Sequence, residues 1–268
     1  MMVVLSVSRC AVINPKDTVR IALLAPFEGR YREVGYNAYY AAQLALSDAG
    51  DKRVELLAVD DGGTRVSAAD RAHALTHDSR VKVVIALGYM AADAQTQRAY
   101  GKLPVLVIGD WSAKPETDSI FMLTNPQIGS LINTPAQIDV TDAARLSETL
   151  VGGDVFALAQ FPKLQPATDK ITIVSSGQMP DTTFRQRYTV SGQFTPQPGL
   201  LATLTYDAVR IAAQASVQSD TRDAVANVNY TGINGTIQFK DGYWLEAPIY
   251  RYRYDATGQL TPKDRPVK

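Results

Sequence analysis

The chain has 268 residues, 46% of them hydrophobic, enough to bury one large core or two smaller ones. Its 27 basic and 27 acidic residues cancel and form no basic stripe, which argues against a nucleic-acid partner and fits a small neutral or zwitterionic ligand better than a polyanion. A single cysteine, Cys10, excludes an internal disulfide, and no stretch approaches the ~20 apolar residues of a membrane helix.

The apolar start reaches Cys10 in the manner of a bacterial lipoprotein signal. No positive residue precedes the run, however, and Arg9 stands where a small residue is expected before a lipidated cysteine. A lipid anchor at Cys10 and a truncated or misassigned start with a buried or free thiol both stay open. Val19–Ala25 is then a nearly unbroken apolar run stopped by Pro-Phe-Glu-Gly, the pattern of a strand covered on both faces. Gly29 and Gly35 bracket the turn. From Tyr36 the period changes: Tyr36, Tyr40 and Leu44, and Ala38, Ala41 and Ala45, recur three and four apart, which predicts a helix to Asp48.

Val54–Asp60 reads as a second strand, with Asp61-Gly62-Gly63-Thr64 as its turn. Residues 66–78 read as a helix with Ala68, Ala72 and Leu75 on the apolar side and Asp70, His73 and His77 on the other. Residues 81–87 form a third strand, followed by Gly88 and a helix containing Ala91, Ala94, Gln95 and Arg98; residues 103–108 form a fourth, ending in Gly109-Asp110-Trp111-Ser112. Strands alternating with helices predict an α/β chain with a doubly wound parallel sheet, whose ligands sit beyond the carboxyl ends of the strands. After a polar segment at 127–151, short strands are predicted at 154–159 and 171–174, helices at 181–188 and 201–215, and a strand with one solvated face at 249–255.

The stretch IALLAPFEGRYREVGYNAYYAAQLALSDAG resembles the opening of the type 1 periplasmic binding proteins, the leucine/isoleucine/valine-binding family of ABC importers. DDGGT, VKVVIALGYMAADA and LPVLVIGDWS are similar to that family's next units, and FMLTNP resembles its first crossover between lobes. Later, YDAV within 201–215 and YTGINGTIQFKDGYW resemble its long helix and closing segment. The resemblance implies a two-lobed fold whose second lobe is reduced by about two β-α units. It implies a first lobe at 17–125 and 197–232 and a second at 126–196 and 233–268, with crossovers near 124–127, 195–200 and 232–235.

The resemblance also places the ligand loops. After the third strand they are Gly88, Tyr89, Met90, Ala91 and Ala92, where the family's usual hydroxyls are replaced by alanine but backbone N–H groups at a helix start can still receive an anion. The alternative is a tight turn at Gly88 with Tyr89 capping the core. After the fourth strand, Asp110 would accept from an ammonium, Ser112 would donate to a carboxylate, and Trp111 would floor the site; the alternative is an N-capping Asp110 beside a Trp covering the lobe junction. Glu28, Arg30 and Tyr31 of the first loop are further ligand candidates, against a solvated Glu28–Arg30 pair.

Asp70, His73 and His77 share one helix face, as metal ligands would, but that face lies opposite the apolar side and reads as solvated. Ser175-Ser176-Gly177 lacks the glycine spacing of a nucleophile elbow, and the first strand is followed by neither a phosphate loop nor a dinucleotide fingerprint. Tyr206 reads as a core residue and Asp207 as a local hydrogen-bonding one. The resemblance therefore implies a non-enzymatic, extracytoplasmic protein that captures an amino acid or related compound for an ABC permease, with no metal or cofactor. A sensor or protein-interaction module that keeps the fold is the competing expectation, favoured by the missing hydroxyls and the reduced second lobe.

Overall fold

The structure, a computed structural model, describes residues 18–133, 150–164 and 170–263. Cys10 lies outside them. The first sheet begins with β1 (Val19–Ala25), β2 (Val54–Asp60), β3 (Val81–Ala86), β4 (Val105–Ile108) and β5 (Ile120–Leu123), all parallel. Their apolar runs are continuous because both faces are covered: Ile21 to Ala25 and Val83 to Ala86 are fully buried. The register places Leu23 between Ala58 and Ile85.

Helix α1 (Arg32–Ala49) follows β1 and ends at Gly50, whose left-handed φ of +68° allows its N–H to reach the Leu46 carbonyl. It packs along α7 (Leu200–Ser216), and both bury small residues, Ala38, Ala41, Ala42 and Ala45 on one and Ala208, Ala212 and Ala215 on the other. Between β2 and β4, α2 (Arg65–Leu75) and α3 (Ala94–Ala99) pack together, each capped by the residue before it: Thr64 Oγ1 accepts from Ser67 N and Asp93 Oδ1 from Gln95 N.

Beyond β5 the chain passes through α4 (Ile128–Leu131) to the small second lobe. There β6 (Leu150–Gly152) runs parallel to β7 (Ile171–Ser175), β12 (Tyr250–Tyr254) pairs antiparallel with β7, and β13 (Leu260–Pro262) pairs antiparallel with β12. Phe156, Phe161, Ile173, Tyr252 and Tyr254 form its separate core. α5 (Phe161–Leu164) lies beside it in the chain, and α6 (Thr182–Thr189) returns to pack on α1, where Tyr188 Oη donates to the Asn37 carbonyl and Arg187 pairs with Asp48.

Several expectations change. The helix read over 66–78 ends at Leu75, and the one expected to contain Ala91 begins only at Ala94, so residues 88–92 form a turn before it. Residues 154–159 are not a strand: Leu150–Gly152 takes that place, and Asp154–Ala157 winds into a 3-10 turn. The continuous apolar run at 155–159 reads as a short strand, but the Asp154 carboxylate is bonded into the contact between lobes and the backbone turns around it. The last crossover also shifts. After α8 (Thr221–Ala226), the ribbon of β8 (Tyr230–Gly232) and β9 (Gly235–Ile237) leads into β10 (Phe239–Lys240) and β11 (Tyr243–Trp244). β11 joins the first sheet through Tyr243 opposite Met122, giving the order β10-β11-β5-β4-β3-β1-β2, so the chain leaves this sheet after Trp244 rather than near 232–235. Trp244 drives this placement, being buried with Nε1 donating to the Thr236 carbonyl at 2.8 Å.

Candidate functional site

Three loops meet at the carboxyl ends of β1, β3 and β4. Gly88, after β3, has φ +96°, and a Cβ there would lie 2.9 Å from Pro26 Cδ, so only glycine lets these two loops approach so closely. Next to it the Tyr89 ring stands edge-on to Tyr31 from the first loop at 5.9 Å and to Trp111 from the third at 5.2 Å. Trp111 is fixed from below, 4% exposed, with Nε1 donating to the Ile108 carbonyl at 2.6 Å. Burial pushes the Tyr89 phenol upward, so it stays a neutral hydroxyl.

These rings, with Met90, Gln97, Ser112 and Ala113, line a pocket of about 670 Å³ in the first lobe, and Arg65, Asp93, Lys114 and Glu116 supply its charge. Ser112 holds a left-handed φ of +56° that a non-glycine residue seldom adopts. It is pinned there by its N–H, which donates to Asp110 Oδ1 at 2.8 Å.

Of the residues singled out in the sequence, Tyr31, Tyr89, Met90, Trp111 and Ser112 come together in this pocket, with Gly88 shaping the turn beneath. Ala91 and Ala92 are buried: Tyr100 Oη donates to the Ala91 carbonyl, Gln97 Nε2 donates to that of Ala92, and Ala92 N bonds back to Gly88. Asp110 is outside the lining. Its Oδ1 takes the Ser112 N–H, its Oδ2 would stand 3.6 Å from a Cβ at Gly129, and burial pushes its carboxyl upward. Glu28 and Arg30 are exposed, the Arg30 guanidinium lying 5.7 Å from the Tyr31 ring centre. Arg65, Asp93, Gln97, Lys114 and Glu116 escaped the sequence reading. The capping pattern of Asp93 before Gln95 was the one available signal, since it puts that carboxylate at the start of α3.

The second lobe reaches the same loops through Asp154, which is fully buried. Its Oδ2 accepts from Asp110 N at 2.9 Å and its Oδ1 from Ser175 Oγ at 2.5 Å, and burial pushes it up to about 6. Gly109 makes the approach possible, because a Cβ there would meet Asp154 Oδ2 at 2.9 Å. A few residues on, Ala159 N and Gln160 N donate to the two carboxylate oxygens of Glu33 on α1 at 2.5 and 2.9 Å, and Gln160 Nε2 donates to the Arg30 carbonyl. Two carboxylates therefore tie residues 154–160 across the lobe boundary.

Elsewhere, His73 on α2 and His77 in the turn after it are exposed with Nε2 atoms 3.2 Å apart, and no group of three metal-ligating side chains occurs among the described residues. Tyr206 Oη donates to Asp48, and buried Asp207 accepts from Ile233 N, Asn234 N and Asn234 Nδ2, which anchors the turn between β8 and β9.

A family model described as periplasmic binding protein matches residues 18–161. The fold is similar to that of the branched-chain amino acid transporter substrate binding protein LivJ from Streptococcus pneumoniae in complex with isoleucine. That match has 15% identity and a TM-score of 0.68, and covers 91% of this chain and 99% of that one. It is also similar to the leucine binding protein LivK from Thermotoga maritima, at 12% identity and a TM-score of 0.69 over 92% of this chain and 98% of that one. A solute binding protein of an ABC transporter from R. palustris, in complex with benzoate, matches at 12% identity and a TM-score of 0.67 over 92% and 95% of the two chains. No curated protein matches.

Proposed function

Because the chain belongs to the periplasmic binding protein family, with its two-lobed type 1 fold, we propose that it captures a small solute outside the cytoplasm for delivery to an ABC importer. On this reading the solute is an amino acid or a related compound, and the protein performs no chemistry on it. The observation that carries the reading is the pocket of about 670 Å³ at the carboxyl ends of the strands, where open α/β sheets bind ligands. Tyr31, Tyr89 and Trp111 serve as its walls, Met90 adapts to the ligand's shape, and the Ser112 hydroxyl orients it. Binding rather than turnover is favoured by Ser175 and the histidines: Ser175 donates to the buried Asp154, while His73 on α2 and His77 in the turn after it are exposed. No helix among the described residues is long and apolar enough to cross a membrane.

The test is native mass spectrometry of the purified protein, then a thermal-shift screen against amino acids and small carboxylates. A solute at a hundredfold excess over its dissociation constant stabilises by about 2.7 kcal/mol and raises the melting point. Tyr89→Ala should weaken that solute by about tenfold; an unchanged dissociation constant would refute the pocket. A second reading, a sensor or docking module, is favoured by the lobes being tied together through Glu33 and Asp154. It would be preferred if the whole panel left the melting point unmoved.

A further inference from the structure

The chain contains only two histidines, and the fold sets them side by side. His73 stands in the last turn of α2 and His77 in the turn after it, a spacing of four that stacks side chains on one helical face. That spacing survives past the helix end because Thr76 N donates to the His73 carbonyl and His77 N to that of Ala74. The rings meet edge to face at 87° with centres 4.8 Å apart, and their Nε2 atoms converge to 3.2 Å. Both side chains are exposed, and among the described residues neither imidazole has another partner.

Two imidazoles so placed can share one proton between the nitrogens or turn both lone pairs to a single ion. With metal–nitrogen lengths of about 2.0–2.1 Å, the 3.2 Å separation subtends an angle of about 100–105° at the ion, close to tetrahedral. The surroundings favour a cation there. The carbonyls at the end of α2 concentrate partial negative charge, and the nearest cations along the chain, Arg71 and Arg80, are paired with Asp60 and Asp78. We infer that His73 and His77 form a two-point chelate for a divalent transition-metal ion of the kind that prefers imidazole, with water filling its other positions. The site lies away from the solute pocket, because α2 leads from the carboxyl end of β2 to the amino end of β3. Asp78, next to His77, accepts from Arg20 on β1 and from Arg80 just before β3, so the ion would fasten the end of α2 to the amino ends of two central strands.

Isothermal titration of the untagged chain with Zn²⁺, with Mg²⁺ as the oxygen-preferring control, tests the chelate. Zn²⁺ should fill a saturable site that the His73→Ala/His77→Ala double variant lacks, and Mg²⁺ should not fill it. Because both nitrogens act on one ion, His73→Ala and His77→Ala should each weaken Zn²⁺ by about tenfold or more. Zn²⁺ should also raise the melting point of the parent and slow hydrogen exchange at residues 74–78, and do neither in His77→Ala. No saturable zinc in the parent up to about 1 mM, or a double variant that titrates like the parent, would overturn the site. Single variants that each lose half of this zinc and hold the rest with parental affinity would show two independent imidazoles and overturn the chelate.

Discussion

The carboxylate between the lobes should make the protein lose stability as the pH rises across the mildly acidic range. Asp154 is fully buried, and burial lifts its pKa from the ordinary 3.8 to about 6. Between those values the folded chain holds a proton that the unfolded chain has released, so unfolding becomes easier as the pH rises. The contribution is complete below about pH 4 and is gone above about pH 6, a difference of about 3 kcal/mol at 1.36 kcal/mol per unit. For a chain of this length that is a fall in Tm of about 6–12 °C. Asp61, Asp110 and Asp207 are pushed the same way by burial and add to the slope. Asp78, which takes the Arg80 N–H and the Arg20 guanidinium, is held below the usual range and acts only in stronger acid. Asp154→Asn separates the contributions. Its amide oxygen can keep the Asp110 N–H, while its NH₂ can donate to Ser175 Oγ, which already accepts from Gly177 N. Urea midpoints measured from pH 4 to pH 7.5 should fall in the parent and stay much flatter in Asp154→Asn; equal slopes would refute the assignment.

Three further outcomes follow from the geometry. Gly88→Ala would put a Cβ against Pro26 at a φ of +96°, so equilibrium unfolding should show a loss of roughly 2–3 kcal/mol. Asp207→Ala strands the N–H groups of Ile233 and Asn234, and the loss should be about 3 kcal/mol or more, with hydrogen exchange faster at those two amides. His73→Ala and His77→Ala should each stay within about 0.5 kcal/mol of the parent and leave solute binding unchanged, as the exposure of both side chains predicts.

The first lobe was legible because its strands are buried on both faces. Val19–Ala25 and residues 81–87 read as apolar runs interrupted only by Arg20 and Lys82, and each is followed by the loop that its strand end then fixes in space. For the same reason Tyr31, Tyr89, Met90, Trp111 and Ser112 could be singled out before their convergence was visible, since they are what the chain places after β1, β3 and β4. The strands at 239–244 were not legible as part of that sheet. They are two residues each, too short for any periodicity, and are held by pairing with β5 and by the buried Trp244. The turn at 154–157 was hidden by an apolar pattern that a buried carboxylate overrides. The direction of the Asp110 side chain and the pairing of Arg65 with Asp93 depend on contacts between loops, on which local spacing is silent.

The pair of ties at residues 154–160 bears on how affinity would be read. A receptor that must first reach a binding-competent arrangement shows an affinity reduced by the fraction of molecules already in it. Here Glu33 and Asp154 hold the second lobe in place through groups belonging to the protein alone. These ties form without a solute, so a solute binding beside Tyr89 and Trp111 owes none of its affinity to making them.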